Sequence, residues 1–595
     1  MTKNKLFNSI KNSLNICWKT SKSIFILRVI IQIFMAFSPI ILLYFTKTLI
    51  DKIIFNYASG AFIINDYIQN LAYILIVSIT MKISDVLNKY ISEIQKDRIR
   101  KYIELTIINK TRTLDISFYD SPEFYNELLN VTNDSYTLEQ MVWLSLDAIR
   151  MTIQFLSAFI LLFSVSIWMS CVIVVLYIPY FLSYKHYIIK KYKWNRNQAP
   201  NFRRRSYIFN IFKNRETAKE STIIDYGDTL IEWFKKSWSE WNVSKNLIIR
   251  REAIFTSLSI VLPEVGKIFL WLFIIREIIL YKLTIGDFSL YTGMLTQLGS
   301  SISFLALIIS NITREENKFT NYNNFLNWKS ELTDTGDIKL TEIVSVEFNN
   351  VSFKYPSSNR YALRNASFKI NANDKVALVG LNGAGKTTIL NLLLRLYDTT
   401  EGMILINGIE IRKYTLSSLR RQFSVLFQDY PHYAFTLKES IALSDWNRSD
   451  KNLYIKKICK KVGLEKLLKK LPKGMDTHIT RRFDHENGVE LSVGEKQRIA
   501  LARAFYRSSS MIILDEPSSA LDAMAEKEIY DIIQQNSNNK ITVFVSHRLS
   551  NVIKADLIFV LLDGIIVEQG NHSSLIKTNG LYSELFKVQA ERYMA

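Results

Sequence analysis

The spacing of apolar positions changes near the middle of the chain. Up to about residue 312 they gather into six segments near bilayer length. Beyond residue 344 they come as short apolar runs alternating with helical stretches. A hydrocarbon core takes about 20 helical residues. The segments lie at residues 24–46, from 71 until the chain turns polar after Met81, and at 146–165, 167–182, 254–280 and 288–312. None is clean: Arg28, Gln32 and Pro39 interrupt the first. Helices with one face toward lipid and another toward a wet pathway read this way; core helices of a soluble protein are the alternative. Charges inside spans are costly and usually face a cavity. Arg28, Arg150, Glu264 and Lys267 fit that description, although Glu264 and Lys267, three residues apart, can also neutralise each other on one helix face.

The polar gaps orient these segments. Those at 51–66, 164–167 and 281–287 are short and carry almost no Lys or Arg. Those at 82–139 and 185–251 are long and polar, and the second holds "KKYKWNRN" and the run Arg203, Arg204, Arg205. By the positive-inside rule the long gaps and the N-terminus face the cytosol. Breakers are few in the long gaps, so spans two to five are expected to continue beyond the bilayer as helices. Turns are expected at 114–130, where Asp120-Ser121-Pro122 starts a new helix, and at 214–234. Each is expected to form a short crosswise helix at a cytosolic tip.

Length and composition narrow the class. A chain of 595 residues exceeds one core. With 48% hydrophobic and 22% charged residues it is neither disordered nor collagenous. Net charge is +20. With the basic residues sorted onto one side of the spans, that excess reads as topology, and nucleic acid is not expected as a partner. Cys17, Cys171 and Cys459 are far apart and fit neither a disulfide framework nor zinc spacing. The basic first residues lack the apolar core and cleavage site of a signal peptide, so a cytosolic lead-in is expected. The expected organisation is a lead-in at 1–22, a membrane domain at 23–313, a linker at 314–343 and a soluble domain at 344–595. The fold class is multidomain: an all-α six-helix transmembrane domain followed by an α/β P-loop nucleotide-binding domain.

The second half carries the chemistry. "GLNGAGKT", residues 380–387, follows a buried-strand pattern and opens a helix pattern, the setting a phosphate loop needs. Gly380, Asn382, Gly383 and Gly385 let backbone N–H groups turn onto phosphates, and the helix N-terminus adds positive potential. Lys386 is expected to reach the β- and γ-phosphates of ATP. Thr387 is expected to offer its hydroxyl to Mg²⁺, with Thr388 near the α-phosphate. "MIILDEP", residues 511–517, ends a strand in two carboxylates. Asp515 is placed to hold Mg²⁺ through water, and Glu516 to orient the attacking water. "VFVSH" ends another strand at His547, a candidate γ-phosphate contact.

"ELSVGEKQRIALARAFYRSSSMIILDEPSSALD", residues 490–522, resembles the ATP-binding cassette of ABC transporters. The resemblance covers the chain from about residue 345 to its end. It implies that Tyr355 stacks on adenine and that Gln428 is the Q-loop glutamine, beside the catalytic groups and Mg²⁺. It makes His547 the switch histidine and Asp522 part of the D-loop. The signature falls on Ser492, Val493, Gly494 and Glu495, where the family usually reads LSGGQ; Val493 adds bulk at a position of close packing. In the family this signature closes on ATP held by another subunit, so a second copy of the chain is the implied partner, with a heterodimer as the alternative. The first half resembles the six-helix membrane domain of exporters, and the two cytosolic turns match its coupling helices.

Within the family the chain looks most like exporters of lantibiotic-type peptides without a protease domain. The implied function is ATP-driven export of a lantibiotic-like or other antimicrobial peptide across the bacterial plasma membrane by alternating access. The protein would be multi-pass, in contact with membrane lipid, with its N-terminus and cassette cytosolic. A multidrug or lipid exporter of the same architecture, carrying a small amphipathic substrate, is the alternative. A soluble cassette ATPase would need two cassettes or a coiled-coil insertion in place of the spans, and an ATP-gated channel is disfavoured by an intact Glu516.

Overall fold

The computed structural model describes residues 3–594 except 61–63, 136–138, 331, 357, 449, 518–522, 537–538 and 547–550. The chain divides into two compact units. One comprises Met1–Thr113 and Tyr125–Trp328; the other comprises Leu114–Phe124 and Lys329–Ala595.

The helices before residue 328 are α1 (Lys3–Ser59), α2 (Ile64–Thr113), α3 (Ile116–Tyr119), α4 (Pro122–Ser135), α5 (Glu139–Val165), α6 (Ile167–Asn197), α7 (Ala199–Lys213), α8 (Arg215–Ile224), α9 (Gly227–Ile279) and α10 (Ile285–Asn327). Among the described residues, α1, α2, α5, α6, α9 and α10 are long and apolar enough to cross a membrane. The 53 residues of α9 extend about 80 Å at 1.5 Å per residue, more than twice the hydrocarbon thickness. Large apolar side chains stand open on its surface, among them Leu258 and Phe269, as a lipid-facing helix requires.

The helices depart from expectation in three places. First, α1 and α10 are also prolonged, and α1 bends at Ser21, where the backbone leaves the helical region (φ −163°, ψ 66°). Second, the segment expected to begin the linker at residue 314 is helical through Asn327. Phe319, Tyr322 and Phe325 are buried at three-residue spacing, so the apolar stripe of α10 continues under a polar composition. Third, the fourth span's extension breaks at Gln198, because Pro200 lies in the first turn of α7 and starts a helix more readily than it continues one.

The intramembrane charges are largely satisfied within this unit. Arg28 does not open onto a cavity. It is buried, lies 3.7 Å over the Trp143 ring and donates to Asn88 Oδ1 (3.2 Å) and Gln95 Oε1 (3.5 Å). Lys267 pairs with Glu264 at 2.7 Å and Arg150 with Asp147 at 3.8 Å. Cys17 and Cys459 are buried, Cys171 is exposed, and all three are free.

The second unit holds two sheets. Its strands are β1 (Ser345–Lys354), β2 (Tyr361–Asn371), β3 (Lys375–Gly380), β4 (Glu401–Ile406), β5 (Ile409–Glu410), β6 (Phe423–Leu426), β7 (Met511–Asp515), β8 (Ile541–Val545), β9 (Leu557–Leu562) and β10 (Ile565–Gly570). The larger sheet runs β10-β9-β3-β8-β7-β6, parallel except for β10; the smaller runs β2-β1-β4-β5. On β3, Ala377 and Val379 enter one core while Val376 and Leu378 enter the other. Burial on both faces is why this strand reads as a continuous apolar run rather than an alternation. The parallel register sets the carboxyl ends of β3, β7 and β8 side by side, with Asp515 opposite Val545.

The smaller sheet is pinned to the larger by three rings: Phe348 stacks on Phe368 at 4.3 Å, and Phe368 meets Phe559 of β9 at 4.7 Å. Phe368→Ala is expected to destabilise the cassette by about 3–5 kcal/mol, with Phe368→Leu costing clearly less. The midpoint of urea unfolding of the purified protein, followed by fluorescence, checks this.

Candidate functional site

The loop between β3 and the helix Lys386–Leu393 adopts backbone angles that only glycine takes without strain. Gly383 sits at φ +79° and Gly385, the residue before the helix, at φ +102°. A Cβ on Gly385 would stand 2.8 Å from the Ala362 carbonyl oxygen. The loop therefore follows β2 closely on one side and borders open space on the other. That space is a cavity of about 560 Å³ lined by Tyr355, Ala362, residues 382–388, Gln428 and Glu516.

Lys386 is 6% exposed and folds back on its own loop, donating to the carbonyl oxygens of Gly380 (2.8 Å) and Leu381 (2.9 Å). Burial pulls the ammonium below the usual lysine range, and the nearby carboxylates of Glu516 and Asp515 offset part of that. Tyr355 places its hydroxyl 3.2 Å from Thr388 Oγ1 and accepts from Asn391 Nδ2 at 3.4 Å. Gln428 donates from Nε2 to Glu516 Oε2 at 3.1 Å. Glu516 occupies the left-handed region (φ 47°), and its N–H donates to the Val545 carbonyl at 3.2 Å. This strained residue is thereby tied to the adjoining strand β8.

The structure thus gathers Tyr355, Asn382, Gly383, Gly385, Lys386, Thr387, Thr388, Gln428 and Glu516 around one cavity. Gly380 does not line it but receives Lys386. Asp515, buried at the end of β7, also lies outside the lining. His547 and Asp522 lie outside the described residues. Ala362 is a lining residue that the sequence did not single out, since an alanine in a strand carries no chemical signal.

The donor set suits Mg²⁺. Thr387, Gln428 and Asp515 carry oxygen atoms of the hard kind that cation takes. Among the described residues no three His, Cys, Asp or Glu side chains cluster to hold a metal unaided. Magnesium held by few protein groups takes its remaining ligands from phosphate and water.

The signature residues stand apart from this cavity. Ser492 caps the helix Val493–Tyr506 and accepts from Glu495 N at 3.3 Å. In return, Glu495 Oε2 accepts from Ser492 N at 2.9 Å. This reciprocal pair is a capping box. Val493 is 54% exposed. None of Ser492, Val493, Gly494 and Glu495 lines the cavity.

A six-span helical unit joined to a phosphate-loop domain with a separate signature helix defines a membrane ATPase of the cassette class. Known proteins agree. The family described as ABC transporter matches residues 363–519. The subtilin transport ATP-binding protein SpaT of Bacillus subtilis is 30% identical over 606 residues, covering 99% of this chain and 95% of that one. The ATP-dependent lipid A-core flippase of Photorhabdus laumondii is 42% identical over 257 residues, 43% of each chain. A bacterial Atm1-family ABC exporter with ATP bound has the same fold, with a TM-score of 0.79 at 23% identity over 95% of this chain and 98% of that one.

The chain belongs to the ABC transporter family. It is a multi-pass membrane protein that couples ATP hydrolysis in a cytosolic domain to export. Single-cassette members of this family typically work as dimers.

Gly385→Ala combines a left-handed φ with a clash against backbone and is expected to weaken nucleotide binding about tenfold or more. Gly383→Ala has an unfavourable φ, but its Cβ meets nothing within 4 Å, so a smaller loss is expected. Titration of the purified protein with a fluorescent ATP analogue checks both.

Proposed function

We propose that two copies of this chain form a homodimeric exporter of a cationic lantibiotic-like peptide across the bacterial plasma membrane. The observation that carries the dimer is the separation within one chain: phosphate loop, Gln428 and Glu516 share a cavity, and the signature does not line it. Two copies facing each other would supply each cavity with the other's Ser492 and Gly494. Because this chain holds both halves of the site, it needs no different partner. The peptide cargo is supported by the full-length likeness to a protein named for subtilin transport. Lipid export is the second reading, supported by the higher but half-length identity to lipid A-core flippases.

In this reading Tyr355 stacks on the adenine. The loop N–H groups and Lys386 hold the phosphates, with Lys386 released from its loop carbonyls to meet them. Thr387, Gln428 and Asp515 would hold Mg²⁺, which would neutralise phosphate charge. Glu516, braced by Gln428 and by β8, orients the attacking water. The family resemblance assigns the switch-histidine role to His547 and the D-loop role to Asp522, both outside the described residues. Val493 at the meeting face weakens closure without abolishing it. The basic 82–139 and 185–251 segments support a cytosolic N-terminus and cassette.

Proteoliposomes with the cassette outward are expected to take up a subtilin-type precursor peptide when given ATP and Mg²⁺. Glu516→Gln is expected to reduce uptake by at least a hundredfold. ATP-dependent movement of a fluorescent lipid with no peptide uptake would instead establish the second reading. Lys386→Ala and Ser492→Ala chains should each be inactive as pure dimers, yet regain ATPase activity when co-assembled, since one composite site is then intact. No recovery in a verified mixed dimer would refute the composite site, and failure of the two variants to assemble with each other would refute the homodimer.

A further inference from the structure

The segment at 114–124 was expected to form part of a crosswise cytosolic helix, and it groups with the cassette unit. Its attachment is specific. Asp115 Oδ2 accepts from Leu332 N at 2.8 Å, and its Oδ1 accepts from Ser330 Oγ. Asp120 Oδ2 accepts from the Tyr397 hydroxyl at 2.6 Å, a bond spanning 277 residues of sequence. Tyr397 is 8% exposed. Burial, followed by the neighbouring Asp120 carboxylate, pushes its phenol well above the usual tyrosine range, so it remains a donor throughout the physiological range.

The ring of Tyr397 has a second neighbour. It meets Tyr355 edge-on, with centroids 5.3 Å apart and planes at 83°, and Phe353 at 5.4 Å. Tyr355 lines the nucleotide cavity and its hydroxyl meets Thr388, in the first turn of the phosphate-loop helix. One buried side chain therefore touches the cavity's aromatic wall with its ring and the attached segment with its hydroxyl. The Asp115 contacts go to the backbone and serine of residues 330–332 and involve no residue lining the cavity. They can hold the segment in place without reading whether the cavity is filled.

We propose that Tyr397 is a positioning residue that transmits occupancy of the base site at Tyr355 to residues 114–124 through Asp120. A purine on Tyr355 fixes that ring. Tyr397 packs on the fixed ring, and its hydrogen bond then holds Asp120 in one place. Phosphate bound at the loop alone does not engage Tyr355 from the base side, so the signal depends on the base. The inference rests on the reading of Tyr355 as the adenine contact.

The test is hydrogen–deuterium exchange on the full-length protein in lipid nanodiscs. Saturating ATP with Mg²⁺ is expected to slow exchange in 114–124 about fivefold. Saturating inorganic tripolyphosphate with Mg²⁺ should protect 380–388 equally but leave 114–124 within twofold of the free protein. Tyr397→Phe keeps the ring and loses the bond. It should bind ATP within twofold of wild type yet lose most of the ATP-dependent protection of 114–124. Asp120→Ala, which removes the acceptor, should do the same, and the double variant should be no worse than either alone. Equal protection by tripolyphosphate, or full protection in Tyr397→Phe, overturns the relay while leaving the adenine reading intact. If Tyr355→Ala binds ATP like wild type, the adenine reading fails and the relay fails with it.

Discussion

The phosphate loop keeps a lysine ammonium in a buried position, and the surrounding structure is arranged around that charge. Lys386 is buried and leans on two carbonyl oxygens of its own loop, with Asp515 and Glu516 as the nearby negative charges. Neutral carbonyls compensate a desolvated cation only in part. A polyanion in the loop would give the ammonium a full counter-charge beside these two carbonyls. The loop keeps this arrangement because glycines hold its backbone where other residues strain. The strand ends keep the carboxylates near because β3, β8 and β7 are hydrogen-bonded neighbours in parallel register.

The membrane unit meets the complementary problem, polar groups in a medium without water. Its solutions are local. Arg28 uses an indole face and two side-chain amides contributed by α2 and α5. Lys267 uses Glu264 one turn away. The start of α10 is closed by a capping box between Thr284 and Asp287. Polar residues in the spans thus serve helix–helix packing first, in keeping with interhelical hydrogen bonds of modest strength. Glu264 differs, since its side chain is 55% exposed while its partner Lys267 is 11% exposed. An ionised carboxylate left open on a span needs a wet cavity or a second subunit beside it.

Much of this was legible in the sequence because the relevant signals are local. The phosphate loop, its strand and its helix occupy adjacent residues, and Asp515 and Glu516 follow directly on four apolar positions, Met511 to Leu514. Span existence was legible for the same reason. Span ends were not: the stripe of Phe319, Tyr322 and Phe325 hides in a polar stretch, and only packing partners reveal which face is inside. Arg28 was read as a cavity group because its partners Asn88, Gln95 and Trp143 lie 60 to 115 residues away. The Tyr397–Asp120 bond is harder still, joining residues 277 apart. No period or motif marks Tyr397, and the Asp120-Ser121-Pro122 turn marks Asp120 as a helix start without pointing to its partner.

The signature's departure from the family pattern is explained by where each residue sits on its helix. Glu495 is the third helical position after the Ser492 cap, where Glu and Gln can both return a hydrogen bond to the cap N–H. Glutamate adds favourable charge near the positive end of the helix dipole. Val493 is the first helical position and is half exposed, so its branched side chain crowds nothing in its own chain. Both substitutions are compatible with the fold of one copy. Their cost, if any, must arise where a second copy brings its phosphates to this helix. There the extra negative charge of Glu495 and the extra bulk of Val493 would both oppose close approach. In the proposed dimer that opposition would loosen the closed, ATP-trapped state relative to a signature with glycine and glutamine.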